Sequence, residues 1–588
     1  MKKKLLSAAL SICMLMGVSA AMPENAFTQS TSITASAEIP VYGDYEYLYA
    51  TDGILLHAYH GKGGHVDIPT VIEGKPVVGL HLSLFKDRSD ITSVTIPKTV
   101  LTIYGEAFSG TSIKSIELPE GLKGIYYAAF RNCKQLESIT IPSKVEDLNA
   151  YLFDGCTALK TVDIKAKYDE LYSGVFQNCK SLEKFTIPDG VTGIGSDAFN
   201  GCTKLKDINI PSSVRYIGEK AFANCSGFTV LTFPNQYATI KSDAFDNCKN
   251  LSFICYEFSQ AEGIAKQNGY KYVNIDRLSG NNRYETAVEI SRESPHLRQS
   301  DNVVLAYGLN YADALAGVPL AYNLDDAPIL LTDTKTIDQK TLKEIKHLGA
   351  KNIKILGGEG VIGKEVVDAL VKNGIKEKNI ERIYGKSRFS TATAIAKKLN
   401  NKPTDVFFVY GLNYADALSV STVAALKNAP IVYLTTDGVL DKDTKEYLEE
   451  LKAKKCVKNA YVIGGEGVIS NAMVSKAASA LGKTPVRIAG ADRYSTCVKV
   501  NTEFKDIFSK YKMYVATGTD FPDALAGGPC AARYKAPLFL VNGRSAKPEL
   551  NADQLSYLKT RKPTYITVFG GEGAVPLSHF ENIAKKCL

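Results

Sequence analysis

Cys133, Cys156, Cys179, Cys202, Cys225 and Cys248 stand 23 residues apart at every interval. A unit this short cannot enclose a core of its own, so a chain that repeats it must stack the units and bury each against its neighbours. The aligned segments run from AAFRNCKQLESITIP to DAFDNCKNLSFICYE and share the frame A-F-x-x-C-x-x-L-x-x-I-x-I-P. The phenylalanine extends back to Phe108 and Phe85, which makes eight coils visible. In the I-x-I pair a spacing of two turns both isoleucines to one face of a short strand. Proline then ends the strand, having no N–H to offer a continuing ladder. The pattern predicts one short strand per coil, with outward residues that vary along the array: Glu137, Ser138, Thr140, Lys184, Thr186, Asp207 and Asn209 among them. Two units leave the frame: GEAFSGTSIKSIELP lacks the cysteine and KTVDIKAKYDELYSGVF lacks the proline.

Twelve cysteines in an exported chain normally suggest disulfides. Equivalent positions on adjacent coils lie about 5 Å apart, so bridging is geometrically conceivable. Inward-facing thiols that act as small buried hydrophobes are the simpler account of a cysteine repeated at this period.

A second period follows. RLSGNNRYETA at Arg277 returns as RIYGKSRFSTA at Arg382 and RIAGADRYSTC at Arg487, 105 residues apart both times, a domain length rather than a coil length. Each copy then carries GLNYADALAG, GLNYADALSV or GTDFPDALAG, an apolar run after Ala-Pro, and a Gly-Gly-Glu-Gly turn at Gly357, Gly464 or Gly570. Short buried runs alternating with helical patterns predict an open α/β domain with a parallel sheet in each copy. The glycine turns invite a nucleotide reading, but Glu359, Glu466 and Glu572 would repel a phosphate and no complete G-x-x-x-x-G-K-[ST] motif follows. Tight strand-to-helix turns, with the acid serving the helix dipole, fit better. Arg283, Arg388 and Arg493 hold matching places, as do Asp313, Asp416 and Asp523. They can pair within or between copies, or an arginine can grip a phosphate bidentately.

The first half resembles the BspA-like, or treponemal, leucine-rich repeats over about Tyr45 to Ile275. The second half resembles the clostridial cell wall binding repeat 2 family, whose marks R-x-x-G-x-x-R-[YF]-x-T, [YF]-x-D-A-L, A-P-[IL] and GGEG occur in order three times. That resemblance implies three tandem copies that hold a surface protein non-covalently to an anionic, teichoic-acid-like polysaccharide of a Gram-positive wall. It also implies polymer contact by Ile329, Leu330 and Leu331, the family's ILL element. The other copies depart from it, with Ile431, Val432, Tyr433 and Leu538, Phe539, Leu540. Buried-strand packing is an equally natural role for such triplets.

The expected organisation is a signal peptide over 1–37, a leucine-rich-repeat solenoid with caps over 38–276, and cell wall binding copies over 277–381, 382–486 and 487–588. The leader has a lysine cluster, an apolar run from Leu5 to Met16, and Ala35 and Ala37 where a signal peptidase reads. No later apolar stretch is long enough to span a bilayer, and the C-terminus carries no sorting signal. Residues 277–588 carry net +11 against −5 for 38–276, which favours an acidic partner. No H-E-x-x-H or G-x-S-x-G occurs, and His296, His347 and His579 occupy no equivalent places. His57, His60, His65 and His81 read as scattered surface histidines rather than metal ligands. The expectation is a non-enzymatic binding protein without metal, cofactor or nucleic acid, its solenoid presenting a face to an unknown protein or glycan. An adhesin serving host attachment and a wall-remodelling enzyme are the alternatives.

Overall fold

The computed structural model describes residues 39–146, 148–293, 299–436 and 438–588. The predicted leader and His296 lie outside the described residues. The chain forms two compact units, one reaching to Ser252 and including Phe258–Tyr270, the other comprising Phe253–Glu257 and Lys271–Leu588.

The first unit is a solenoid whose spine is a file of phenylalanines. Phe85, Phe108, Phe130, Phe153, Phe176, Phe199, Phe222 and Phe245 stack on one another with ring centroids 5.2–5.8 Å apart. The spacing is close to that of paired strands, because each coil advances by one strand width. Beside this file runs one of thiols. Cys133, Cys156, Cys179, Cys202, Cys225 and Cys248 are free and buried. Each Sγ donates to the carbonyl of the phenylalanine one coil earlier, as Cys156 does to Phe130 at 3.0 Å and Cys202 to Phe176 at 3.1 Å. Burial pushes the Cys202 thiol up to about 12 and that of Cys248 to about 11. The residue before each cysteine is Asn or Gly because the backbone there is left-handed, at φ +56° for Asn132, +75° for Gly155 and +59° for Asn178.

Each coil carries more strand than its sequence predicts. The I-x-I segments pair in parallel, as Ser138–Ile141 does with Thr161–Ile164. A second ladder of two-residue strands runs through Glu170–Leu171, Gly193–Ile194, Tyr216–Ile217 and Thr239–Ile240. Two residues are too few to show a period, so this ladder is invisible until neighbouring coils align. The proline after the first strand opens a turn, accepting from the amide three residues on, as Pro142 does from Val145 at 3.2 Å. Helix Gln260–Asn268 belongs to this unit; Ser259 caps its start and Gly269, at φ +70°, ends it.

The second unit repeats one four-strand parallel arrangement three times. A core strand (Asn302–Tyr307, Asp405–Tyr410, Lys512–Thr517) lies between an edge strand (Ile329–Thr332, Ile431–Leu434, Leu538–Val541) and a turn strand (Asn352–Leu356, Asn459–Ile463, Tyr565–Phe569). The fourth is a bridging strand from the next copy. Ile380–Ile383 completes the first sheet and Val486–Ile488 the second. The third is completed by Lys271–Leu278, which pairs with Tyr565–Phe569 from the other end of the unit. The three copies therefore close into a ring in which each sheet borrows a strand from its successor. Helices Gly317–Asn323, Ala415–Leu426 and Pro522–Arg533 pack against one another at the centre. Their residues Val318, Val420 and Ala526 belong to a single buried cluster. The parallel α/β arrangement expected of each copy is present, and each sheet is completed by a strand that opens the motif set of the next copy.

Candidate functional site

Within each sheet the chain leaves the core strand to one side and returns on the other, so a crevice opens where the core and turn strands end. Two segments flank it: Gly308–Leu315, Gly411–Leu418 or Gly518–Leu525 after the core strand, and the glycine turn after the turn strand. The glycines are required there on two counts. Gly357, Gly464 and Gly570 stand at φ +107°, +112° and +103°, and a Cβ on any of them would fall within 3.0 Å of Oδ2 of Asp313, Asp416 or Asp523. The turn and the aspartate are thus fitted to each other.

The next copy supplies the arginine. Arg388 stacks over Tyr311 at 5.7 Å and Arg493 over Tyr414 at 5.6 Å. Arg283 lies 3.8 Å from Asp520. Each arginine is held by the carbonyl of the glycine that ends its own core strand: Gly308 for Arg283 at 2.7 Å, Gly411 for Arg388 at 3.2 Å and Gly518 for Arg493 at 2.6 Å. Tyr311, Tyr414 and Phe521 meet one another at 5.4, 5.8 and 6.2 Å, a trio where the three copies converge. The crevice is therefore an interface feature: aspartate and aromatic from one copy, guanidinium from the following one.

Burial pushes Asp416 up to about 6 against the pull of Arg493. Burial, reinforced by Asp520 and opposed by Arg283, likewise pushes Asp523 up to about 6. Asp313 is also raised by burial, opposed by a hydrogen bond with Thr391 and by Arg388. For these groups the folded pKa lies above the unfolded value, so folding favours the protonated form. For Asp416 and Asp523 this contribution to stability is fully present below about pH 4, falls as pH rises through 6, and is flat above about 7, a change on the order of 3 kcal/mol for each. Replacing Asp416 with Asn should flatten the loss of stability between pH 4.5 and 7 measured by chemical denaturation. An unchanged pH dependence in that variant would contradict the assignment.

The apolar triplet is placed otherwise than its resemblance implied. Ile329, Leu330 and Leu331 fill an edge strand at 0–1% exposure and face the core, so in this arrangement they offer no surface to a polymer. The counterparts in the other copies are equally buried. The turn acids differ from expectation as well. Glu359, Glu466 and Glu572 are exposed, and the helices after them start only at Lys364, Asn471 and Leu577. Instead, the charges of Glu359 and Glu572 act on Arg382 and Arg277.

Arg277, Arg382 and Arg487 open each repeat, and the motif pattern by itself assigns them no role. They donate to the carbonyls of Gly570, Gly357 and Gly464 at 2.6, 2.9 and 2.7 Å, and so fasten each bridging strand to the turn of the copy before it. Their invariance at the 105-residue period was the available signal. In the solenoid, the histidines prove not to be scattered. His60 pairs with Glu46 and His65 with Asp67. His57 and His81 meet at 3.2 Å between Nδ1 atoms, and the file continues through Tyr104 to Tyr126 with ring spacings of 5.1, 5.8 and 5.5 Å. Among the described residues no group of three or more His, Cys, Asp or Glu is placed to hold a metal ion. No helix among them is long and apolar enough to cross a membrane.

A coiled repeat array followed by a triplicate α/β ring defines a two-part, repeat-built protein. The family described as BspA type leucine rich repeat region matches residues 80–204 and 169–275, and the family described as cell wall binding domain 2 matches residues 277–367, 382–474 and 487–579. The chain carries both, and its three cell wall binding domains assign it to the cell wall or cell surface. It is 32% identical over 272 residues to the N-acetylmuramoyl-L-alanine amidase LytC of Bacillus subtilis, covering 46% of this chain and 51% of that one. It is 27% identical over 298 residues to the amidase enhancer of the same organism, covering 50% and 39%. The chain thus spans about half the length of these relatives or less, and the shared stretch is the cell wall binding region. Among solved structures, Cwp8 from Clostridium difficile matches with 30% identity over 56% of this chain and 54% of that one, at a TM-score of 0.48.

Proposed function

We propose that the ring anchors the protein non-covalently to an anionic, teichoic-acid-like wall polymer, while the solenoid is displayed to bind a protein or glycan. The supporting observation is the threefold recurrence of one crevice, in which a guanidinium, a carboxylate and an aromatic ring converge across a copy boundary. A guanidinium suits phosphate or carboxylate, and a carboxylate beside it accepts hydrogen bonds from sugar hydroxyls. Several weak sites on one closed block hold a repeating polymer far more strongly than any one of them. The net +11 of residues 277–588 adds a favourable long-range field. The varied outer residues of the coils and the aromatic file from His57 to Tyr126 support a ligand role for the solenoid. A wall-remodelling enzyme is the weaker reading, because the amidase relatives share only the binding region.

The full chain should co-sediment with isolated walls of Clostridium difficile. Its apparent affinity should fall about tenfold between 0.1 and 0.5 M salt, as screening shortens the reach of the arginines. Walls whose phosphate-linked polymers have been extracted with hydrofluoric acid should retain little protein. Equal retention on extracted and intact walls would refute the anchoring reading.

A further inference from the structure

We propose that the three crevices are not equivalent: those holding Arg388 and Arg493 take the anionic units of the polymer, while the one holding Arg283 is neutralised from within by Asp520. The inference rests on the anchoring reading above and refines it. The segment after the core strand reads Gly-Leu-Asn-Tyr in the first two copies and Gly-Thr-Asp-Phe in the third. Asn310 and Asn413 use Oδ1 to accept from the amides of Ala312 and Ala415 at 3.1 and 3.2 Å, an uncharged turn. Asp520 does a similar job with its Oδ1, accepting from Phe521 at 2.9 Å, but its Oδ2 is left over and faces Arg283 at 3.8 Å.

The aromatic change points the same way. Arg493 Nη1 donates to the Tyr414 hydroxyl oxygen at 3.4 Å, and Arg388 and Arg493 lie over tyrosine rings with no carboxylate in ion-pair distance among the described residues. Phe521 has no hydroxyl to offer. With Asp313 or Asp416 opposite, the first two crevices are balanced, one cation to one anion. The third holds Asp520 and Asp523 against the single Arg283 and carries an excess negative charge, which opposes an incoming phosphate or carboxylate. Two occupied crevices on one ring still bind a repeating chain bivalently.

The test exchanges the two patterns in the full chain. Both substitutions retain a side-chain oxygen that can cap the same turn, so folding is preserved, and thermal unfolding checks that it is. Asp520→Asn frees Arg283 and should raise the affinity for Clostridium difficile walls at 0.15 M salt by about three- to tenfold, with a steeper salt dependence. Asn413→Asp places the neutralising carboxylate in an active crevice and should lower affinity by a similar factor. Adding Arg283→Ala to the Asp520→Asn variant should cancel its gain. If the unmodified protein sediments with walls but both exchanges leave its affinity unchanged, or Asp520→Asn weakens it, the non-equivalence is wrong and the anchoring stands. If the unmodified protein does not sediment at all, both fall.

Discussion

Asn274→Pro should unfold the far end of the C-terminal unit before it disturbs the copy that lies next in sequence. The amide of Asn274 donates to the carbonyl of Thr564 at 2.7 Å, and its strand pairs in register with Tyr565–Phe569, from Asn274 against Tyr565 to Leu278 against Phe569. Proline removes that donor and with it a ladder hydrogen bond, which the interior of a paired strand does not tolerate. Hydrogen exchange should then show lost protection in Tyr565–Phe569 and Lys512–Thr517, while Asn302–Tyr307 keeps its own. Loss of protection beginning in the first copy, or no loss in the third, would show that the ring is not closed by this strand. The closure also accounts for the arginines that open each repeat, since Arg277 reaches the carbonyls of Gly570 and Val575 at 2.6 and 2.8 Å across the same seam.

A comparably large effect is expected in the solenoid. Phe176 is fully buried and stacks between Phe153 at 5.6 Å and Phe199 at 5.4 Å. Truncating it to alanine removes most of a buried ring and leaves a cavity that neighbouring coils, themselves in register, cannot collapse to fill. The expected loss is about 3–5 kcal/mol by urea denaturation. Because each coil contacts only its neighbours, the break should also reduce cooperativity, with the two flanks of the array melting apart. Tyr237→Ala is the control, since that ring is 83% exposed and its loss should change stability by about 0.5 kcal/mol or less. A cost below about 1 kcal/mol for Phe176→Ala would mean that the file does not carry the stability assigned to it.

Much of this was legible because repetition makes local chemistry redundant. A buried phenylalanine at every twenty-second or twenty-third position and a thiol at every twenty-third have only one economical arrangement, a stacked file. The restriction to Asn or Gly before each cysteine even carries the left-handed backbone, although its meaning is apparent only from the φ values of Asn132, Gly155 and Asn178. The matching arginines and aspartates were also readable as a set. Their assembly was not, because Arg388 meets Tyr311 across 77 residues of chain and Arg283 meets Asp520 across 237. The apolar triplet Ile329, Leu330 and Leu331 illustrates the opposite hazard: a short run of branched residues reads alike as a binding ridge or a buried strand, and only its sheet partners decide.

The amino-acid sequence by itself determined the two repeat lengths, the solenoid and the triplicate α/β architecture, because periodicity and the alternation of apolar residues are properties of neighbours along the chain. The tertiary structure alone decided that the bridging strand Lys271–Leu278 belongs to the third sheet, that the ring closes, and which arginine faces which aspartate. Parallel strand pairing and charge contacts between distant segments are settled by which partner is left unpaired when the core closes, and no local pattern records that choice.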